Sequence, residues 1–193
     1  MALQFAIDDW VQRLTAIPES DFKIPRVLEF VTNHGIDPES LEPYVYYAKS
    51  HYTRNLIYKC PLFEVLAICW QPGQVSRIHN HRGQNCWMAT PIGRLRVQNF
   101  RVEGRDAAHS TCHLVPTNAF DMDPLRPAVV DPREPVHTVA NLPEFGGQAT
   151  SVHIYSHPYA ECEVYSQDKG TYMDVSLHYS SEYGRLSPDE TLA

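Results

Sequence analysis

Residues 78–86 read IHNHRGQNC: two histidines flank one asparagine, and a cysteine follows five residues after the second. On a β-strand alternate side chains share a face, so His79 and His81 project together and Asn80 points away. Two imidazoles so placed can chelate one metal ion, and a third ligand must then come from elsewhere. The candidate is His137 in EPVHTVAN, which begins an expected strand behind a proline-rich loop. The competing reading is ordinary histidines on a surface strand, in a chain with 10 histidines and 11 tyrosines. Gly73 and Gly93 bracket the pair with turns, and Asn141 gives the His137 strand a compact polar ending, which favours a metal.

Other residues could serve such a centre. HYTRNL supplies Tyr52 and Arg54, and a guanidinium is a planar fork that suits a carboxylate, although it equally suits a surface salt bridge. SVHIYS puts Ser151, His153 and Tyr155 on one strand face; the plain alternative is an aromatic strand with a buried, satisfied histidine. Cys86 and Cys162 are two of five cysteines, an odd number without a CxxC pair. That usage fits a reducing compartment, and hence the cytoplasm, better than a disulfide scaffold.

These residues need elements to hold them. The first fifty residues read as helical. In FAIDDWVQRLTAI, residues Phe5, Trp10, Val11, Leu14 and Ile17 fall near one helical face. PRVLEFVTNHG places Pro25 at a first helical position and Gly35 at a C-cap. PESLEPYVYYAKS suggests a third short helix with Ser40 as N-cap. From about residue 56 to 180 the chain becomes a series of short segments rich in β-branched and aromatic residues, punctuated by Gly, Pro, Asn and Asp. Such a series predicts a sandwich or closed barrel. LPEFGGQAT reads as a hairpin connection, with Gly146-Gly147 supplying positive φ. The tail over 187–193 is polar and expected to be loose.

The chain of 193 residues is long enough for a single domain with a sizeable core. A net charge of −7 argues against a nucleic-acid partner. No apolar run approaches the roughly 20 residues of a membrane span. The N-terminus, with early aspartates and no basic n-region, does not read as a signal peptide.

The pattern Gly73, His79-x-His81, Cys86, Gly93 resembles the first motif of the cupin barrels, with Cys86 where a glutamate ligand usually stands. His137-x-x-x-Asn141 resembles the end of the second motif, with Glu134 where glycine is usual. The replaced glutamate points to a narrower group: from about YYAKSHYTRNLIY to DVSLHYSS the chain resembles the cysteine dioxygenases. The resemblance implies a mainly β, jelly-roll cupin barrel with N-terminal α-helices packed outside, 1–193 forming a single domain. It implies one Fe(II) per chain held by His79, His81 and His137, with a small thiol and O2 as substrates. Arg54, with Tyr52, matches the substrate-carboxylate clamp. Related enzymes for 3-mercaptopropionate carry glutamine at the Arg54 position, so Arg54 favours a 2-amino acid thiol, L-cysteine, oxidised to the sulfinic acid.

Ser151, His153 and Tyr155 match a hydrogen-bonded relay, with the Tyr155 hydroxyl beside substrate and oxygen. Cys86 matches the cysteine that forms a thioether with that tyrosine in the animal enzymes, so a Cys86–Tyr155 crosslink is implied as possible; a free buried cysteine is the alternative. Cys162 matches a cysteine near the site entrance, and Trp70 matches as packing. Asn80, Arg82, Gly83 and His157 depart from the animal pattern close to the site. They leave open another small thiol, 3-mercaptopropionate or mercaptosuccinate, and beyond that a cupin that binds a metal or ligand without turnover. A monomer is expected.

Overall fold

The structure, a computed structural model, describes residues 3–188. Helix α1 (Ile7–Thr15) buries Ile7, Trp10, Val11 and Leu14, the apolar stripe the sequence predicts. Asp8 and Asp9 in its first turn complement the helix dipole. Phe5 lies outside the helix, in strand β1 (Leu3–Phe5), which pairs in parallel with β2 (His34–Ile36). Helix α2 (Ile24–Asn33) takes Pro25 at its second position, where a missing N–H costs nothing. Gly35 is not its C-cap: His34 fills that place and donates from Nδ1 to the Phe30 carbonyl at 2.9 Å, and Gly35 continues into β2.

The expected third helix is a 3-10 turn over Pro38–Tyr44, interrupted by Pro43. Its cap is Asp37, which accepts from Glu39 N at 3.1 Å. Ser40 instead serves α1: its hydroxyl accepts the Ile7 N–H at 2.8 Å, one of the orphan donors at a helix start.

The remaining strands are β3 (Thr53–Lys59), β4 (Phe63–Trp70), β5 (Ile78–His79), β6 (Cys86–Ile92), β7 (Leu95–Asp106), β8 (Thr111–Met122) and β9 (Ala128–Val129). They continue with β10 (Val136–Ala140), β11 (Ala149–Ser156), β12 (Glu161–Ser166), β13 (Thr171–Ser176), β14 (Ser181–Glu182) and β15 (Arg185–Leu186). One sheet runs β15-β14-β3-β4-β11-β6-β9. The other, β10-β5-β12-β13-β8-β7, closes as β7 pairs back onto β10. The architecture is mainly β, a barrel with the helices packed outside, in line with what the cupin resemblance implies.

Its layers explain the sequence. Phe63, Val65, Ala67, Val152 and Ile154 pack outward against α1 and α2. Leu66, Ile68, Trp70 and Tyr155 face inward onto Leu95, Val97 and Val139 of the other sheet. Strands β4 and β11 are therefore buried on both faces; β4 reads as a nearly continuous apolar run, whereas β11 carries Thr150, Ser151, His153 and Ser156 among its apolar residues. The barrel extends past the expected bounds, from Thr53 to Leu186, because β14 pairs in parallel with β3.

Two connections matter for the site. Gly93, between β6 and β7, has φ +76, and a Cβ there would meet the Gln148 carbonyl at 2.5 Å. LPEFGGQAT is not a hairpin: β10 and β11 belong to different sheets, so it is a crossover through a 3-10 turn at Pro143–Phe145. Of its two glycines, Gly146 takes positive φ (79°) and Gly147 does not. Most of the expected loose tail, residues 189–193, lies outside the described residues. Ser187 is tied down, its N–H donating to the Ser180 carbonyl and its hydroxyl to the Tyr179 carbonyl, both at 2.8 Å. Among the described residues no helix is long and apolar enough to cross a membrane.

Candidate functional site

His79 and His137 stand in register across β5 and β10. The expectation that His79 and His81 share a strand face is not met: β5 ends at His79, and His81 lies at the start of a turn. Arg82 (φ 53°) and Gly83 (φ 82°) turn the chain there. The three rings nevertheless converge, with ligand-capable nitrogens of His79, His81 and His137 all within 4.8 Å of one another.

Their protonation is set by burial. Desolvation lowers His79 to about 4 and His137 to about 3, and holds His81 well below the usual imidazole range. His79 Nδ1 donates to the Arg77 carbonyl at 2.8 Å, and His137 Nδ1 to the Pro135 carbonyl at 3.2 Å. A carbonyl only accepts, so both bonds fix the proton on Nδ1 and leave the Nε2 lone pair free. His137 Nε2 and both ring nitrogens of His81 are buried without a partner. Each such atom costs roughly 1–3 kcal/mol, and their convergence is what a bound cation relieves. Three neutral nitrogen donors fit a divalent transition metal.

Of the triad, His79 lines a cavity of about 570 Å³ whose wall also includes Tyr52, Arg54, Arg77, Tyr159 and Cys162. Arg54 comes from β3, half-buried, with Nε and Nη2 unpartnered. Burial disfavours its charge, but a guanidinium stays protonated at any ordinary pH, and Glu64 nearby favours the cation. Tyr52 stacks on Trp70, ring centroids 4.5 Å apart.

Strand β11 supplies a line of polar groups in an apolar setting. Trp70 Nε1 donates to Ser151 Oγ at 3.1 Å, Ser151 Oγ lies 2.8 Å from His153 Nε2, and His153 Nδ1 lies 3.1 Å from the Tyr155 hydroxyl. Burial, then Arg54 and nearby histidines, hold His153 well below its usual range, so it is neutral. Burial raises Tyr155 well above the phenol range, with Tyr159 and Cys86 adding to it, so it keeps its proton. Cys86 stands directly across from Tyr155 in the β6–β11 register, its sulfur 3.8 Å from His153 Nδ1, and burial pushes its thiol up. Cys162 is buried in the cavity wall.

Three residues not singled out from sequence join these. Tyr159 lies in the loop after β11, its ring 5.1 Å from Tyr155 and 6.1 Å from His81. Arg77 is exposed and lines the cavity. Glu64 is buried beside them, one oxygen accepting from the Tyr179 hydroxyl at 2.5 Å and the other unpartnered. Desolvation raises its carboxyl.

A family profile described as cysteine dioxygenase type I matches residues 6–168. The chain is similar to cysteine dioxygenase type 1 of Danio rerio, 24% identical over 186 residues, covering 95% of this chain and 90% of that protein. It is similar to cysteine dioxygenase type 1 of Homo sapiens, 25% identical over 172 residues, covering 89% and 84%. Among solved structures, a Klebsiella pneumoniae protein described as having a double-stranded β-helix domain aligns with a TM-score of 0.48 and 13% identity, over 70% of this chain and 87% of that one.

Proposed function

The chain belongs to the cysteine dioxygenase type I family, and on that premise we propose that it is an Fe(II)-dependent thiol dioxygenase, acting as a single cupin domain. Its reaction adds both atoms of O2 to the sulfur of a small thiol, L-cysteine in first place, giving the sulfinic acid with no external reductant. The observation that carries this reading is one arrangement: three converging neutral histidines, His81 and His137 with buried unpartnered nitrogens, and Arg54, also with buried unpartnered nitrogens, lining the same cavity as His79. His79, His81 and His137 would hold the iron. The chemistry an Fe(II) ion supplies when bound is activation of the substrate thiolate and of dioxygen.

The rest falls to the chain's own residues. Arg54 takes the substrate carboxylate through its free Nε and Nη2, which aims the sulfur at the triad. Ser151 already accepts from Trp70, and its hydroxyl proton has His153 Nε2 as its acceptor. That leaves the ring proton of His153 on Nδ1, donated to the Tyr155 oxygen. The Tyr155 proton is then free to be donated toward the substrate side of the site. Cys86 faces Tyr155 across the strand pair, and a thioether between them would form one carbon–sulfur bond while the S–H and ring C–H hydrogens pass to O2, reducing it to hydrogen peroxide. Tyr52 and Cys162 shape the wall. The five cysteines are all free, in keeping with a reducing compartment such as the cytoplasm.

A second reading, a different small thiol such as 3-mercaptopropionate or mercaptosuccinate, is favoured by the additional cation lining the cavity, Arg77. The test is oxygen uptake by Fe(II)-loaded protein with L-cysteine and these two thiols, products identified by mass. One cysteine sulfinate per O2 is expected. Preference for another thiol replaces the substrate, and no thiol-dependent uptake with iron bound overturns the enzyme reading in favour of a ligand-binding cupin.

A further inference from the structure

His79 is fixed by the sheet, between His137 on one side and Val164 on the other. His81 has no such support, because the chain leaves β5 before reaching it. Both its ring nitrogens lack protein partners, so no hydrogen bond orients its ring, which is held by packing against His137, Tyr155 and Tyr159 and by the turn that carries it.

Asn80 is held unusually firmly. Its backbone N–H donates to the Glu163 carbonyl at 3.1 Å. Its side-chain Nδ2 donates to Glu163 Oε2 at 2.8 Å and to the Tyr165 hydroxyl at 3.1 Å. Its Oδ1 accepts from Glu163 N at 3.3 Å and from Arg82 N at 3.2 Å. Glu163 is anchored in turn. Arg105 donates to both its oxygens, at 2.6 and 3.2 Å, and the Tyr165 hydroxyl adds a third bond at 2.8 Å. The Arg105 guanidinium also lies 4.1 Å over the Tyr172 ring. The Asn80 amide thus extends the β5–β12 pairing one residue beyond the strand and starts the turn through Arg82. The task needs a side chain that donates to a carboxylate and accepts from backbone N–H groups at once, which an amide does and a carboxylate does not.

We propose that Asn80 and Glu163 are positioning residues for His81: their amide–carboxylate pair, backed by Arg105, sets the turn that carries the third imidazole into the triad. The proposal rests on the reading of the three histidines as metal ligands. Asn80→Ala leaves Glu163 paired with Arg105 and Tyr165, so the barrel is expected to hold while the turn loosens.

The experiment is Co(II) titration of the full chain, followed by the visible absorption of the bound ion in competition with a chelator, with thermal unfolding of the same samples alongside. Asn80→Ala is expected to weaken Co(II) binding about tenfold, the lower end for partners that orient ligands. Asn80→Asp sets two carboxylates against each other and weakens it further. Combining Asn80→Asp with Glu163→Gln exchanges amide and carboxylate, and recovers part of the loss. Wild-type affinity in both single variants overturns the positioning role, as does a combined variant no better than Asn80→Asp. Failure of the wild-type chain to bind Co(II) overturns the triad reading itself, a separate result.

Discussion

Two regions flank the triad and treat charge in opposite ways. Behind it, Glu163 has both oxygens bonded, to Arg105, Tyr165 and Asn80, in a network with little left over. On the cavity side, Arg54 buries two guanidinium nitrogens without a partner, and Glu64, which favours the Arg54 charge, buries an oxygen in the same state. Elsewhere arginines are routinely matched: Arg26, Arg82, Arg101, Arg126 and Arg133 all pair with carboxylates. A buried polar group left unmade costs roughly 1–3 kcal/mol, more when charged. The paired region stabilises the framework, and the unpaired one holds back bonding capacity that a ligand can use.

If that contrast is right, removing groups on the two sides must have different signatures, and removing the triad between them must have the largest effect. His137→Ala takes out a fully buried ligand candidate. It should reduce Fe(II) or Co(II) affinity by more than about 100-fold, beyond the loss for partners that merely orient ligands. Metal content after dialysis and thiol-dependent oxygen uptake should fall together. Retained metal would return His137 to the core as an ordinary residue. Next in size is Arg54→Ala. Losing a charge-assisted carboxylate contact should raise KM for cysteine about 10- to 100-fold. Since those nitrogens bond nothing in the free protein, the melting temperature should hold or rise. A large drop in melting temperature with unchanged KM would show that the two regions do the same job.

The contrast also explains what the sequence displays and what it hides. Strand β4 is legible because both its faces are buried, which leaves a long apolar run, and β11 is legible by its β-branched and aromatic residues. His79 and His137 are legible by type and spacing. The place of His81 is not, because strand periodicity cannot show that pairing stops at Ile78–His79 and that a side-chain bond to Glu163, some eighty residues away, takes over. Ser40 resembles a cap and is one, but for α1, a distance effect no local pattern carries. Two missed residues did leave a signal: Glu64 is the lone charge inside FEVLAICW, and Arg77 alternates with His79. Tyr159 left none, since it follows Pro158 in a loop without periodicity.

The paired side should appear as an acid limb of stability. Its bond to Arg105, chiefly, lowers the Glu163 carboxyl from 4.5 to about 2. A carboxyl whose folded value is depressed stabilises fully above its unfolded value, and that contribution fades as pH falls from about 4.5 through about 2. Because the Arg105 side chain is 42% exposed, solvent screening reduces the contribution to about 1–2 kcal/mol. Urea midpoints of wild type and Glu163→Gln should therefore converge across that window. Parallel curves would mean the network adds order without pH-dependent stability.

The smallest effect belongs to Arg77, which shares the cavity with Arg54 but is exposed. No carboxylate pairs with it among the described residues. Exposure limits its attraction for an anion to about 1 kcal/mol or less at ordinary salt, so Arg77→Gln should lower kcat/KM for an anionic thiol by about two- to fivefold. Salt should erase the difference, since screening acts on solvent-facing charges and spares buried ones such as Arg54. The loss should be greater for mercaptosuccinate than for 3-mercaptopropionate, which differs from it by one carboxylate. A salt-resistant loss as deep as that of Arg54→Ala would place Arg77 in the clamp itself, and would give the exposed wall the same share in holding the substrate as the buried wall.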